Sequence, residues 1–412
     1  MLKNVVILND FAYVNGGASQ VALSSAQGLA SDGVGVTLFT AVGPVDVALY
    51  NQKNLQLIHL DQYEIFKDPN RWRAFRQGWW NETAQARFTS ILDQLDPVET
   101  VIHLHGWTKA LSSSVVRAGL DSGFSFVCSM HDYFLACPNG AFYSYPAGHP
   151  CGLHALSLAC LASNCDARSY PQKLWRYSRS LVQRKLGKLP DGLQHFIAVS
   201  DFSQEILRPY LPDSAKFYRV NNPIDVVKHP PVSVSENNIW TMVGRIAPEK
   251  GVHLLIQAAN QWDLPLTLVG SGPLEAEVMV ALHRAKITGW LEHNQVIEQL
   301  CRARVLVFPS LLAETQGMVV LEVAALGVPA IVPDTNAARE FVEDGVTGLW
   351  FRGGDAHDLR QKMELFQDAH LAGKMGMAAY RQYWNRPQSL DNHVHELITV
   401  YQHVLSKKIV GG

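Results

Sequence analysis

The sequence predicts an α/β protein of two domains, each a parallel sheet covered by helices, and three observations predict it. Apolar runs of strand length recur, each followed by an amphipathic stretch of helical length. The series breaks once, in a polar and proline-rich stretch, and then restarts. A chain of 412 residues also exceeds what one hydrophobic core usually supports, so two domains of roughly 200 residues each are expected.

The first series has strand-like runs at residues 5–8, 36–40, 100–104, 124–129 and 195–199. From Asn221-Asn222-Pro223-Ile224-Asp225 through Pro230-Pro231 to Asn238 the chain loses periodicity and reads as a linker. The second series has runs at residues 239–243, 266–269, 305–308 and 330–332. Beyond about residue 355 the pattern is helical, and the segment around 390–405 has the character of a helix crossing back. The expected organisation is an N-terminal domain over 1–222 with an insertion at about 134–170, a C-terminal domain over 239–385 and a returning helix over 386–412.

Apolar residues make up 47% of the chain and charged residues 17%, with a net charge of -2. This is the composition of an ordinary globular enzyme and excludes a disordered or nucleic-acid-coating protein. Val5-Val6-Ile7-Leu8 is too short for the core of a signal peptide, and no run approaches the roughly 18 apolar residues of a membrane span. A cytoplasmic protein is expected. In that compartment the six cysteines are thiols or metal ligands rather than disulfides.

In open α/β sheets ligands sit at the carboxyl ends of strands, where helix N-termini face them. The unusual residues of this chain gather at such places. After the run at 239–243 comes Gly244-Arg245-Ile246-Ala247-Pro248-Glu249-Lys250-Gly251, a turn that puts two cations ahead of a helix and suits a diphosphate. After the run at 305–308, Glu314 and Glu322 bracket Gly317, which opens a helix. Gly317 lets backbone approach a ligand, and the N–H groups of Met318 and Val319 point at an anion. Glu322 has the reach for a ribose diol and Glu314 for the hydroxyls of a sugar. The plain alternative, an acid favoured by the helix dipole, explains one glutamate but not two.

These segments resemble the signature of retaining glycosyltransferases, family 4 in particular. Two glutamates at this spacing define it, Gly244 to Gly251 is similar to the family's Gly-Arg-x-x-x-x-Lys-Gly, and Asn222-Pro223-Ile224-Asp225 is similar to its entry to the linker. The likeness is strongest over residues 241–350 and extends more weakly to Gly16-Gly17 and His131-Asp132-Tyr133. It implies the GT-B fold, two Rossmann-like domains facing each other across a cleft. It also implies that Arg245 and Lys250 bind the donor diphosphate, Glu322 the ribose and Glu314 the sugar. Gly16 and Gly17 would approach the donor phosphates or the acceptor through backbone, an ordinary tight turn being the alternative. His131 would contact the donor sugar; His105 is the next candidate, with packing as its alternative. Gln316 stands where the family usually has an aromatic, Asn336-Ala337 replaces a common Gly-Gly, and Arg304 replaces an Asp.

The resemblance further implies transfer with retention from a nucleoside-diphosphate sugar such as a UDP-sugar to a glycan or lipid-linked acceptor. Fixed cations take the place of a divalent ion and no cofactor is required, there being no evident Asp-x-Asp site. Two further regions carry expectations. Cys137, Cys151, Cys160 and Cys165 cluster in the insertion and invite a structural zinc, with free thiols as the alternative because the gaps are unlike known zinc modules. Residues 173–188 hold Lys173, Arg176, Arg179, Arg184, Lys185 and Lys188 among apolar residues and no acid. Such a helix can lie on an anionic membrane on the inner face, or pack with a solvated basic side. Other readings are another GT-B enzyme (a sugar-nucleotide epimerase or a phosphorylase) or a non-catalytic nucleotide-sugar-binding subunit. A dehydrogenase is disfavoured because Gly16-Gly17 does not continue as Gly-x-Gly-x-x-Gly.

Overall fold

The computed structural model describes residues 2–411. The strands, in chain order, are β1 (Asn4–Leu8), β2 (Gly35–Thr40), β3 (Leu55–His59), β4 (Thr100–Leu104), β5 (Ser125–Ser129), a short antiparallel pair β6 (Tyr143–Ser144) and β7 (His149–Pro150), β8 (His195–Ala198) and β9 (Lys216–Arg219). After the linker come β10 (Ile239–Val243), β11 (Leu266–Val269), β12 (Ala285–Ile287), β13 (Ala303–Val307), β14 (Ala330–Pro333) and β15 (Gly348–Phe351). The chain divides into two compact units. Unit 1 runs to Ala141 and adds Leu153–Pro223 and the chain from Ser389 onward; unit 2 is Ile224–Gln388 with Phe142–Gly152.

Unit 1 holds a seven-stranded sheet in the order β3-β2-β1-β4-β5-β8-β9, and unit 2 a six-stranded sheet in the order β12-β11-β10-β13-β14-β15. Every pairing in both is parallel. The central strands are buried because helices cover both faces: β4 and β13 are buried at all positions, their few polar side chains included. In each sheet the chain starts in the middle, winds to one edge and then returns to the other side. This makes a topological switch between β1 and β4 in unit 1 and between β10 and β13 in unit 2. Such switch points are where open sheets of this kind bind ligands.

Unit 1 is completed by the last helix, Leu390–Gly411. Val394, Leu397, Val400, Tyr401, Val404 and Leu405 are buried in one cluster with Ala22, Ala26 and Leu29 of the Gly17–Ser31 helix. A Cβ on Gly28 would lie 2.5 Å from Val394 Cγ2, so the two helices close only over a glycine. Each buried leucine and valine of this cluster contributes roughly 1.5–3 kcal/mol.

Two expectations fail here. Residues 173–188 do not present one basic face: Lys173, Arg176 and Arg179 of the Tyr170–Lys185 helix are buried. Each finds a partner that the local sequence does not reveal. Lys173 donates to two cysteine sulfurs, Arg176 pairs with Asp166 at 2.9 Å and Arg179 donates to the Thr108 carbonyl at 2.9 Å. Nor do Cys137, Cys151, Cys160 and Cys165 form a zinc site, since no three His, Cys, Asp or Glu side chains converge as metal ligands among the described residues. The Lys173 ammonium occupies the space between Cys160 and Cys165, where its positive charge opposes a metal ion. All six cysteines are thiols rather than disulfides. Among the described residues no helix is long and apolar enough to cross a membrane.

Candidate active site

In unit 2 the loops leaving β10 and β13, on either side of the switch, are fitted closely together. Gly251 has φ 74°, a left-handed conformation that favours glycine, and a Cβ there would lie 1.9 Å from the Pro309 carbonyl oxygen. Leu311 N–H donates to the Glu249 carbonyl at 3.1 Å, tying one loop to the other. Gly317, with φ 82°, then turns the chain into the Met318–Leu326 helix.

Arg245, Lys250, Glu314, Gly317, Met318, Val319 and Glu322 all lie on these two loops and this helix. Lys250 Nζ donates to Glu314 Oε1 at 2.7 Å, and Ser310 Oγ donates to the same oxygen at 2.6 Å. Arg245 is held by the buried carboxylate of Glu249, four residues on, while 61% of its own side chain stays exposed. No side chain caps the Met318–Leu326 helix, and while Val320 N–H donates to the Gly317 carbonyl at 2.9 Å, the N–H groups of Met318 and Val319 sit at the positive end of the helix dipole. Asn336 buttresses the loop by donating to the Ser310 carbonyl at 3.3 Å and accepting from Ala338 N–H at 3.0 Å. It thereby gives the Asn336-Ala337 pair a structural task.

Glu322 is buried, at 8% exposure. Desolvation pushes its pKa up; His293 pulls it down and Asp225 adds to the rise. The His293 Nε2 lies 2.9 Å from the Asp225 carbonyl oxygen, so both belong to the wall beside Glu322. Gln316 is buried and its amide nitrogen donates to Gln388 Oε1 at 3.3 Å. Arg304 is a staple rather than a ligand group: within β13 its guanidinium donates to the carbonyls of Asn237, Phe366, Gln367 and Ser235.

In unit 1, Gly16 and Gly17 open the Gly17–Ser31 helix after β1, again with no capping side chain. The loop after β4 is fixed by Asp10, whose carboxylate accepts the backbone N–H groups of Lys109, Ala110 and Leu111 at 2.8, 2.9 and 2.9 Å. His105 and His131 follow β4 and β5. His131 Nε2 is 2.9 Å from His105 Nδ1, and His105 Nε2 is 3.1 Å from His103 Nδ1. His103 in turn lies 2.6 Å from the Tyr401 hydroxyl and 2.8 Å from Ser129 Oγ. Burial, and then the neighbouring imidazoles, hold all three histidines below the ordinary range, His131 at about 4. Three neutral rings in a chain leave each contact one nitrogen that donates and one that accepts, so the tautomer of His131 is coupled to that of His103. Beside them, burial raises the Asp132 carboxyl to about 6.

Sequence reasoning names the two cations, the two glutamates, the glycines and His131, and gives His105 an open role. It misses Glu249, Ser310, His103 and Tyr401. Only Glu249 leaves a local signal, an acid four residues from Arg245.

Two Rossmann-like parallel sheets, one of them carrying cations and an uncapped helix at its switch point, define a GT-B glycosyltransferase. Residues 15–228 match the Glycosyltransferase Family 4 profile and residues 237–368 that of Glycosyl transferases group 1. The chain belongs to glycosyltransferase family 4. O-antigen chain mannosyltransferase C of Escherichia coli is 28% identical over 275 residues, 60% of this chain and 72% of its own. D-rhamnosyltransferase WbpZ of Pseudomonas aeruginosa is 30% identical over 154 residues, 35% of this chain and 40% of its own, so that alignment spans less than half of either protein. Among solved structures, sucrose-phosphate synthase of Thermosynechococcus elongatus superposes with a TM-score of 0.72 at 18% identity, covering 98% of this chain and 100% of its own. HepE of Anabaena, solved with UDP and glucose, gives 0.67 at 15% identity over 97% and 100%. These likenesses show the fold.

Proposed function

We propose that this glycosyltransferase moves a sugar from a nucleoside-diphosphate sugar to a hydroxyl of a glycan or lipid-linked glycan, in the synthesis of a surface polysaccharide or glycoconjugate, with retention at the anomeric carbon and without a metal ion. The observation that carries the reading is the Lys250–Glu314 pair beside the uncapped Met318–Leu326 helix. The names of the mannosyl- and rhamnosyl-transferring relatives and the UDP held by the HepE structure agree with it.

In this reading the diphosphate sits against the N–H groups of Met318 and Val319, with Gly317 allowing the approach. Lys250 and Arg245 face the phosphate from which the sugar departs. Negative charge grows there in the transition state, and a cation about 4 Å away at an effective dielectric near 20 contributes on the order of 4 kcal/mol before desolvation. These fixed cations supply the charge that a divalent ion supplies in other enzymes. Glu314, already oriented by Lys250 and Ser310, turns its carboxylate to the sugar hydroxyls. Glu322 accepts from the ribose diol. His131 contacts the donor sugar, and Gly16-Gly17 approach the phosphates or the acceptor through backbone. The acceptor hydroxyl attacks on the face the diphosphate leaves, and the leaving phosphate takes its proton.

The same proposal places the protein in the cytoplasm, on the inner face of a membrane when its acceptor is lipid-linked. Leu174, Leu181 and Leu186 stand exposed on the outer side of the Tyr170–Lys185 helix and just past its end, with Arg184, Lys185 and Lys188 beside them. Flotation with anionic vesicles tests that part, and failure to float removes it.

A thermal-shift panel of uridine, guanosine and adenosine diphosphates, repeated on Glu322→Ala, tests the donor site. One diphosphate is expected to raise the wild-type Tm and to raise the mutant Tm much less. No shift by any of them overturns the donor assignment. The anomeric configuration of the product, read by NMR, decides retention.

A further inference from the structure

Lys173 is buried, with 1% of its surface exposed, in the first turn of the Tyr170–Lys185 helix. Its ammonium donates to Cys160 Sγ at 3.2 Å and to Cys165 Sγ at 3.3 Å. Among the described residues no carboxylate pairs with it; the nearby acid, Asp166, pairs with Arg176. A buried ammonium needs polar partners, and among the described residues Lys173 finds them in the two cysteine sulfurs. Burial alone would lower the lysine's pKa, yet the two sulfurs more than offset this and hold it above its ordinary value.

The two sulfurs are not equivalent. Cys165 also accepts from the Asn139 amide at 3.4 Å, whereas the sulfur of Cys160 has Lys173 alone. Cys160, itself 6% exposed, belongs to a five-residue helix, Leu158–Ala162, whose Leu158 is 83% exposed, so the sulfur lies close to the surface. A thiolate beside a cation is the form of cysteine that peroxides oxidise. An amine held roughly 3–3.5 Å from the sulfur it would attack is at near-attack distance.

We propose that Cys160 and Lys173 form an oxidative crosslinking site, at which a peroxide joins sulfur to nitrogen as a sulfenamide. In the first step the Cys160 thiolate attacks a peroxide oxygen, the S–O bond forms and the O–O bond breaks. The departing hydroxide takes a proton from the Lys173 ammonium and leaves as water. In the second step the freed amine attacks the sulfenic sulfur, the S–N bond forms, the S–O bond breaks and a second water leaves with the hydroxyl and an amine proton. Sulfur has lost two electrons, one peroxide has been reduced to two waters, and a thiol reductant reverses the product.

The test treats the full-length wild-type chain with hydrogen peroxide, digests it with trypsin without reductant and reads the peptides by mass spectrometry. The expected product joins the Cys160 and Lys173 peptides with the loss of two hydrogens from their summed mass. Cleavage after Lys173 disappears, and dithiothreitol restores it. Cys165→Ser keeps the crosslink, while Cys160→Ser and Lys173→Arg abolish it. A Cys160–Cys165 disulfide with Lys173 still cleaved overturns the proposal, as does a peroxide-treated chain whose thiols all remain open to alkylation. The wild-type digest decides the matter alone if a variant does not fold.

Discussion

Unit 1 buries histidines, and unit 2 sets ion pairs on the loops that leave its strands. His103, His105, His195 and His393 are buried in unit 1, and His131 lies half-buried against His105, whereas no histidine of unit 2 is buried. Unit 2 instead places Arg245, Lys250 and Glu314 on its loops, each in contact with a residue of opposite charge. Two sheets of one design thus solve different problems. In the proposed reading the paired ions of unit 2 serve the diphosphate, while the buried imidazoles of unit 1, held below their ordinary pKa, orient hydroxyls.

The largest test of this contrast is Lys250→Ala. Removing one preorganised donor costs about a hundredfold or more in turnover at saturating donor, and unchanged kcat would take the ionic role away from unit 2. Acid should then separate the two units. His131, His195 and His393 are each held at about 4, against 6.5 when unfolded. A histidine whose folded pKa is depressed gives stability that is complete above 6.5 and is lost as pH falls toward 4. At pH 5 the loss is about 2 kcal/mol for each buried one. Asp132, raised to about 6, works in the opposite sense and offsets part of it. Thermal proteolysis read by mass spectrometry at pH 7 and pH 5 assigns each cut to a unit, and equal shifts in both break the comparison.

Glu322→Ala comes next, with donor diphosphate affinity expected to fall about tenfold, near 1.4 kcal/mol, in a titration. Parity with wild type would leave Glu322 as part of the fold only. The smallest effect belongs to Lys3→Ala, which breaks the exposed pair with Glu99. No resolvable change in stability is expected in denaturant melts, solvent screening an exposed pair of this kind. A measurable loss would mean that unit 1 relies on surface ions after all.

Much of this is legible in the sequence, and where it is not the reason is physical. Residues 100–104, 239–243 and 266–269 read as strands and are strands, because an inner strand covered on both faces writes a mostly apolar run broken by no charge. The strands that escape notice in the two large sheets are β3, β9, β12 and β15, which are the four sheet edges. Lys216–Arg219, for instance, has both its ends exposed and an apolar middle too short to stand out. Arg304 hides the start of β13 because its charge interrupts the run, although the carbonyls it serves lie elsewhere. In the candidate site the ions are legible because one local segment presents them together. His103 and Tyr401, 298 residues apart, meet only through the fold. The burial of Lys173, Arg176 and Arg179 is hidden for the same reason: a run of cations looks solvated until its partners are known.

The helix that begins at Leu390 carries a consequence for how the protein is made. It supplies buried side chains to the core of unit 1 and closes on Gly28, so a ribosome that has long since released the first sheet must still deliver the last helix before that sheet is covered. Throughout translation of unit 2 the first-made half waits with an open apolar flank, the condition in which nascent chains draw chaperones. Premature termination near residue 389 therefore harms the half already synthesised more than the half being finished.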